Sequence, residues 1–279
     1  MATRVASLAF PDRGGEVAEI AARIWAKTWP LLGAAGLMAA AWQAVVWLGF
    51  WPDYLLPGPA VVFGRLAEDL RDPSLYGAFM TTGTRAVAGY SLAVVMGLVL
   101  GLGVSRSAVV RAAMGSLITG LQSMPSIAWF PLAILLFGLS EAAIMFVVVL
   151  GAAPAVANGL ITGIDHIPPL LLRYGRVAGA KNFTLYKRIV LPAALPSFVG
   201  GLKQGWAFAW RSLMAGELLV IIAQRPSLGA RLQFAREFAD APGLLSMMIV
   251  ILVIGIVVDR MFGLADGWIR ERWGLVEQH

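Results

Sequence analysis

PLLLRYGRVAGAKNFTLYKRIVLPAALP, residues Pro169 to Pro196, is a polar and basic interruption between two long apolar runs. It carries Arg173, Arg176, Lys181, Lys187 and Arg188 without one Asp or Glu. Loops rich in Lys and Arg stay on the cytoplasmic side of a membrane, so this one is expected there. Arg173 to Asn182 has helical character, and Phe183, Leu185, Tyr186 and Ile189 continue an apolar stripe at mixed spacings. A short helix with one apolar side is predicted. It is expected to end near Val190, because Leu191 precedes Pro192 and a residue before proline is pushed out of the α region. A basic helix of this kind suits either a protein groove or lipid headgroups.

The composition around it agrees with a membrane. The chain has 279 residues, of which 59% are hydrophobic and 14% charged, with a mean hydropathy of +0.77. These values place it with polytopic membrane proteins of one domain. There is no cysteine, which removes disulfides, thiolate metal sites and Cys nucleophiles. His166 and His279 are the only histidines, too few for a metal cluster or a Ser-His-Asp triad. The formal charge of +6 is not gathered with aromatics on a soluble domain, so nucleic acid is not an expected partner. No Gly-x-x-x-x-Gly-Lys-Ser/Thr stretch occurs, so energy from nucleotide must be borrowed. The run Val5 to Phe10 is too short for a signal peptide and is followed by Asp12, Glu16 and Glu19.

Outward from the loop, the predicted architecture is all-α. Residues 1–29 form a cytoplasmic segment whose Glu16 to Trp29 stretch is an amphipathic helix on the inner leaflet. Residues 30–267 form the transmembrane domain, with spans at 30–50, 79–104, 112–139, 144–163, 197–223 and 243–265, and with the basic loop at 164–196. Residues 268–279 form a cytoplasmic tail. Gly97 and Gly101 make a close-packing pair in the second span. The third span is interrupted at Pro125 and Pro131, and a broken membrane helix needs protein or water to satisfy its freed backbone groups. In the fourth, Asn158 suits a helix–helix hydrogen bond. Of the 22 Lys and Arg residues, fifteen fall at the inner face and five at the outer. That bias predicts six spans with both termini cytoplasmic.

Arg85, Arg211 and Glu217 fall within spans, away from the inner face, and must face protein or water. Arg211 and Glu217 lie six apart, about 240° around a helix, so they do not share a face. Arg85 and Glu217 each lie about 9 Å inside the outer boundary of their spans, at about 1.5 Å per residue. They are expected either to pair across the second and fifth helices or to reach the outer interface separately. Arg211 is near the midplane. It can hold the oxyanion of a passing solute, or it can bond backbone carbonyls of the broken third helix.

Gly179, Ile189, Leu191 and Pro192 stand at the spacing of the loop motif of bacterial ABC importer permeases, which that loop resembles. Arg173, Tyr174 and Gly175 replace the family's Glu-Ala-Ala triplet. Met124-Pro125, Ala128 to Leu132, and Phe137 to Leu139 are similar to the nitrate, sulfonate and taurine branch. The resemblance covers Leu55 to Asp266 and implies a type I importer permease fold in a bacterial cytoplasmic (inner) membrane. It implies that the loop holds a cytoplasmic coupling helix docking on an ATPase, with Arg173, Arg176, Gly179, Ala180, Lys181, Asn182 and Phe183 at the contact. It further implies a second permease copy in a homodimer, two ABC ATPase subunits and an extracytoplasmic substrate-binding protein. ATP and Mg are then bound by the ATPase, and this chain carries no cofactor, metal site or catalysis of its own. Gln122, Trp129, Asn158, Arg211 and Glu217 are the expected substrate pathway. The expected cargo is a small anion, foremost an aliphatic sulfonate or taurine, with nitrate, bicarbonate and a thiamine precursor as rivals. A stand-alone secondary transporter would instead show paired mid-membrane acids or two inverted broken halves. An intramembrane enzyme would need a nucleophile and base that are not seen.

Overall fold

The computed structural model describes residues 13–105, 108–180 and 182–272. Among these every regular element is helical. The chain divides into two compact units between Phe63 and Gly64. In the first, α1 (Arg13–Trp47) is one continuous helix with Pro30 inside it. The expected amphipathic segment and the expected first span thus lie on one helix. A proline in a helix costs one hydrogen bond and bends the axis, but the alanine-rich run after it keeps the helix going. Its apolar part, Thr28–Trp47, has a mean hydropathy of 1.4, and Leu32, Leu37 and Met38 are exposed. Such a surface suits lipid.

The division falls inside α2 (Pro59–Asp69), and the second unit continues with α3 (Pro73–Ser105) and α4 (Ala108–Ser123). A 3-10 turn over Ser126–Trp129 leads into α5 (Phe130–Phe137). Then come α6 (Glu141–Asp165), α7 (Pro169–Val177), α8 (Asn182–Leu185), α9 (Leu191–Leu219), α10 (Leu228–Glu237) and α11 (Ala241–Arg272). Among the described residues, four helical stretches are long and apolar enough to cross a membrane: Thr28–Trp47, Pro73–Ser105, Glu141–Asp165 and Ala241–Ile269. The pair Ala113–Ser123 and Ser126–Phe137, bent by 99°, is a fifth if taken together. The 29 residues of α9 extend about 43 Å at 1.5 Å per residue, but Lys203, Arg211 and Glu217 make it less apolar than these.

The bend locates the interruption of the third span at Pro125. Pro131 is no second break: it lies in the first turn of α5, where its missing N–H would have no helical partner anyway.

The core is built around α6, which packs against α9 on one side and α3 on the other. Small residues set both distances. Along α3, a Cβ on Gly97 would come within 2.8 Å of the Ala153 carbonyl, and one on Gly101 within 3.2 Å of the Ala157 carbonyl. Ala93 and Gly89 continue that row one and two turns earlier. On the other side Gly159 and Gly201 face each other, a Cβ on Gly159 falling 2.5 Å from the Gly201 Cα. Without a hydrophobic drive between helices in lipid, such backbone approach is what holds them together.

The expected helix end at Val190 is not seen. Tyr186–Val190 is a π turn that runs directly into α9, and Leu191 keeps α geometry (φ −63, ψ −47). The Leu191 N–H bonds to the Tyr186 carbonyl, five residues back. A proline ring clashes with the carbonyl four residues earlier in an α-helix. The wider turn shifts the bonding register by one residue just ahead of Pro192, so the helix survives the proline.

Candidate functional site

At the loop end of α9, the basic segment folds as two short helices and the π turn. α7 ends at Val177 and is closed through Ala178 and Gly179, whose φ of +81 suits a residue without a Cβ. The Ala180 N–H bonds back to the Gly175 carbonyl at 2.9 Å and the Ala178 N–H to the Tyr174 carbonyl at 2.9 Å, which closes the helix end. Gly175 is buried, and a Cβ there would overlap the Ile189 and Leu185 side chains, so α7 lies close against the π turn. Arg173, Arg176 and Gly179 are exposed, and Ala180 is half-buried. Asn182 opens α8 and Phe183 follows it. Lys181 lies outside the described residues.

The side of α7 opposite Gly175 is an outward apolar row that the sequence reading missed: Leu170 (75% exposed), Tyr174 and Val177 (89% exposed). Its signal was present as the i, i+4, i+7 spacing. Arg173 sits beside this row and Arg176 farther round.

The far end of α9 is the opposite case. Arg85 on α3 is 4% exposed and Glu217 on α9 is 0% exposed. The Arg85 Nη1 donates to Glu217 Oε1 at 2.9 Å. Its other edge donates to Glu141 at the start of α6, Nη2 to Oε1 at 2.6 Å and Nε to Oε2 at 2.8 Å. The Thr82 hydroxyl lies 2.9 Å from Glu217 Oε2, and the Gly229 N–H donates to the same oxygen at 3.0 Å. The Thr82 Oγ1 in turn accepts from the Leu228 N–H at 3.0 Å. Arg225 approaches Glu141 at 3.5 Å. Glu217 therefore clasps α3, α9 and the start of α10, with both oxygens occupied. Glu141 was missed because the fourth span was started at Ile144, three residues late, although an acid next to Ser140 is a signal for a helix start.

The remaining expected pathway residues are spread out. Gln122 Nε2 lies 3.5 Å from the Pro154 carbonyl of α6 and 3.4 Å from that of Ile118. Trp129 packs against the main core, and Asn158 is half-buried on α6. Arg211 is exposed: its Nε donates to the Ala207 carbonyl at 3.0 Å, and its Cζ lies 4.8 Å from the centre of the Phe208 ring. Its backbone bond is thus to its own helix and not to the broken third span. No hydrogen bond joins these four side chains among the described residues. No cluster of three or more metal-ligating side chains occurs among the described residues.

Residues 93–271 match the family described as binding-protein-dependent transport system inner membrane component. The taurine transport system permease protein of Escherichia coli is 26% identical over 83% of this chain and 87% of its own length. The riboflavin transport system permease protein of Chloroflexus aurantiacus is 29% identical over 85% of this chain and 89% of its own. Among solved structures, the inward-facing MetNI methionine ABC transporter matches with a TM-score of 0.59 at 16% identity, over 71% of this chain and 98% of that one. At that identity the likeness speaks for the fold, that of a type I ABC importer permease.

Proposed function

This chain belongs to the family of binding-protein-dependent transport system inner membrane components, and from that membership we propose that it is the membrane-spanning permease subunit of an ATP-driven importer. The observation that carries the reading is the outward face of α7, where Leu170, Tyr174 and Val177 are exposed beside Arg173 in a segment without acids. This face docks on a separate ABC ATPase subunit that binds ATP and Mg. Closure of the ATPases is passed through α7 and α8 into α9 and switches the passage between its two openings. Two permease copies, two ATPases and an extracytoplasmic binding protein complete the assembly, in a bacterial inner membrane with both termini cytoplasmic. The cargo is a small anion, foremost an aliphatic sulfonate or taurine. Nitrate, bicarbonate and a thiamine precursor are the alternatives, because relatives of similar identity carry names as different as taurine and riboflavin.

A stand-alone secondary transporter is less well supported. Glu141 and Glu217 do share Arg85, but Arg225 adds a second positive charge and Glu217 is enclosed, so they do not form an open acid pair. The test is co-purification. The wild-type chain, purified from its native membranes, should elute with an ABC ATPase subunit, and Val177→Glu should release it. A wild-type chain that elutes without any ATPase, yet transports in proteoliposomes, overturns the reading. Identification of the ligand on the co-purified binding protein then names the cargo.

A further inference from the structure

The exposure of α9 is strongly one-sided. Gly201, Gly205, Ala209, Ser212, Leu213 and Gly216 are buried, whereas Ser197, Gly200, Gln204 and Arg211 are exposed. These four follow one another at three, four and seven residues, which keeps them on one side of the helix. The helix packs along α6, a membrane span, and so lies at membrane depth. A guanidinium and an amide turned toward lipid at that depth are costly, so this side faces water or protein.

The Arg211 side chain is also fixed in place. Its Nε is used by the Ala207 carbonyl, and the guanidinium stands over the Phe208 ring. Neither Nη has a partner among the described residues. A planar fork held by its stem with both ends free fits two oxygens of one oxyanion. Gln204 lies two turns toward the basic loop, about 10.5 Å along the axis. Its amide can both donate and accept.

We propose that this side of α9 lines the solute passage and that the Arg211 fork holds the oxyanion head of the solute, with Gln204 as the next polar station. The proposal rests on the importer reading above and narrows its substrate to compounds carrying a sulfonate, carboxylate or similar oxyanion group. Arg85 and Glu217 are not part of it, since their charges are spent on each other and on Glu141.

Because the chain has no cysteine, single cysteines can be read without background once the labelled permease is separated from its partners. The probes are two methanethiosulfonates, one bearing an ethylsulfonate and one a trimethylammonium, applied to the complex of permease and ATPase in membrane vesicles. Gln204→Cys should react at least ten times faster than Leu252→Cys, an exposed apolar position on α11. At Ala207→Cys, one turn from Arg211, the sulfonate reagent should be favoured. That preference should fall about tenfold with Arg211→Gln and be largely kept with Arg211→Lys. Equal rates at positions 204 and 252 would place the stripe in lipid and overturn the proposal. So would a reagent preference that Arg211→Gln leaves unchanged, the result expected if Arg211 pairs with an acid of another chain. ATPase co-elution, measured on the same samples, reports separately on the importer reading and on folding of each variant.

Discussion

The two ends of α9 use charge in opposite ways. At the loop end Arg173 and Arg176 are exposed, share their surface with uncovered apolar side chains and have no acid in the segment. At the far end Arg85 and Glu217 are buried and every oxygen of Glu217 is engaged. The first arrangement is open to its surroundings; the second is closed. Partner binding is therefore expected at the loop and integrity of the fold at the clasp, and single changes at the two ends should separate these properties.

The largest effect belongs to the clasp. Glu217→Ala leaves Arg85 with Glu141 alone and should cost about 3–5 kcal/mol, the usual range for breaking a buried pair from one side. It would be read as a large fall in the thermal midpoint of the detergent-solubilised protein. Replacing both charges, Arg85→Met with Glu217→Leu, should recover much of that loss. A double variant as unstable as the single would mean that shape, not charge, holds this end. Next is the helix contact between the two ends. Gly159→Ala puts a Cβ against the Gly201 backbone and should cost about 1–3 kcal/mol, whereas Gly83→Ala, which meets nothing within 4 Å, should not destabilise.

Smaller effects are expected beyond the clasp. Ala239, just after α10, has φ +55, and Ala239→Gly should raise the thermal midpoint by the equivalent of about 1 kcal/mol. Asp72, between α2 and α3, is held down to about 2 by hydrogen bonds from the Ser74 side chain and backbone and by Arg231. A lowered carboxyl stabilises the fold above its ordinary value of about 4, and that contribution is lost as the pH falls toward about 2. Melting curves of Asp72→Asn should be flatter than those of the wild type across that interval. The smallest change in stability, within about 0.5 kcal/mol, is expected for Arg173→Glu with Arg176→Glu. The same pair should weaken ATPase co-elution, and undiminished co-elution would mean that the apolar row alone carries the contact.

Much of this was readable from residue order, because depth and charge bias are one-dimensional quantities. Counting residues from the span ends put Arg85 and Glu217 at one level, and the structure has them 2.9 Å apart. The basic segment stood out by its lack of acids. Other features depend on the third dimension. Pro192 signals a helix end locally, and only the register shift at Tyr186–Val190 shows how the helix passes it. Pro30 is passed as well, since α1 runs through it. Glu141 joins the clasp because packing of α6 on α3 brings its first turn to Arg85, which no spacing rule across 56 residues could reveal. The outward direction of Arg211 likewise follows from which side of α9 the small residues bury.

The wide turn ahead of α9 also sets how a displacement at the loop would be delivered. It holds one more residue than ordinary winding of the same rise would need. If it tightened to regular winding, everything beyond it would screw about 100° around the axis and shift about 1.5 Å along it. Arg211 would then swing to another azimuth with no hinge anywhere in the rod. A crank of this kind would be stalled by tethering Tyr186 to its neighbours, even with the outward side of α7 and the clasp left intact.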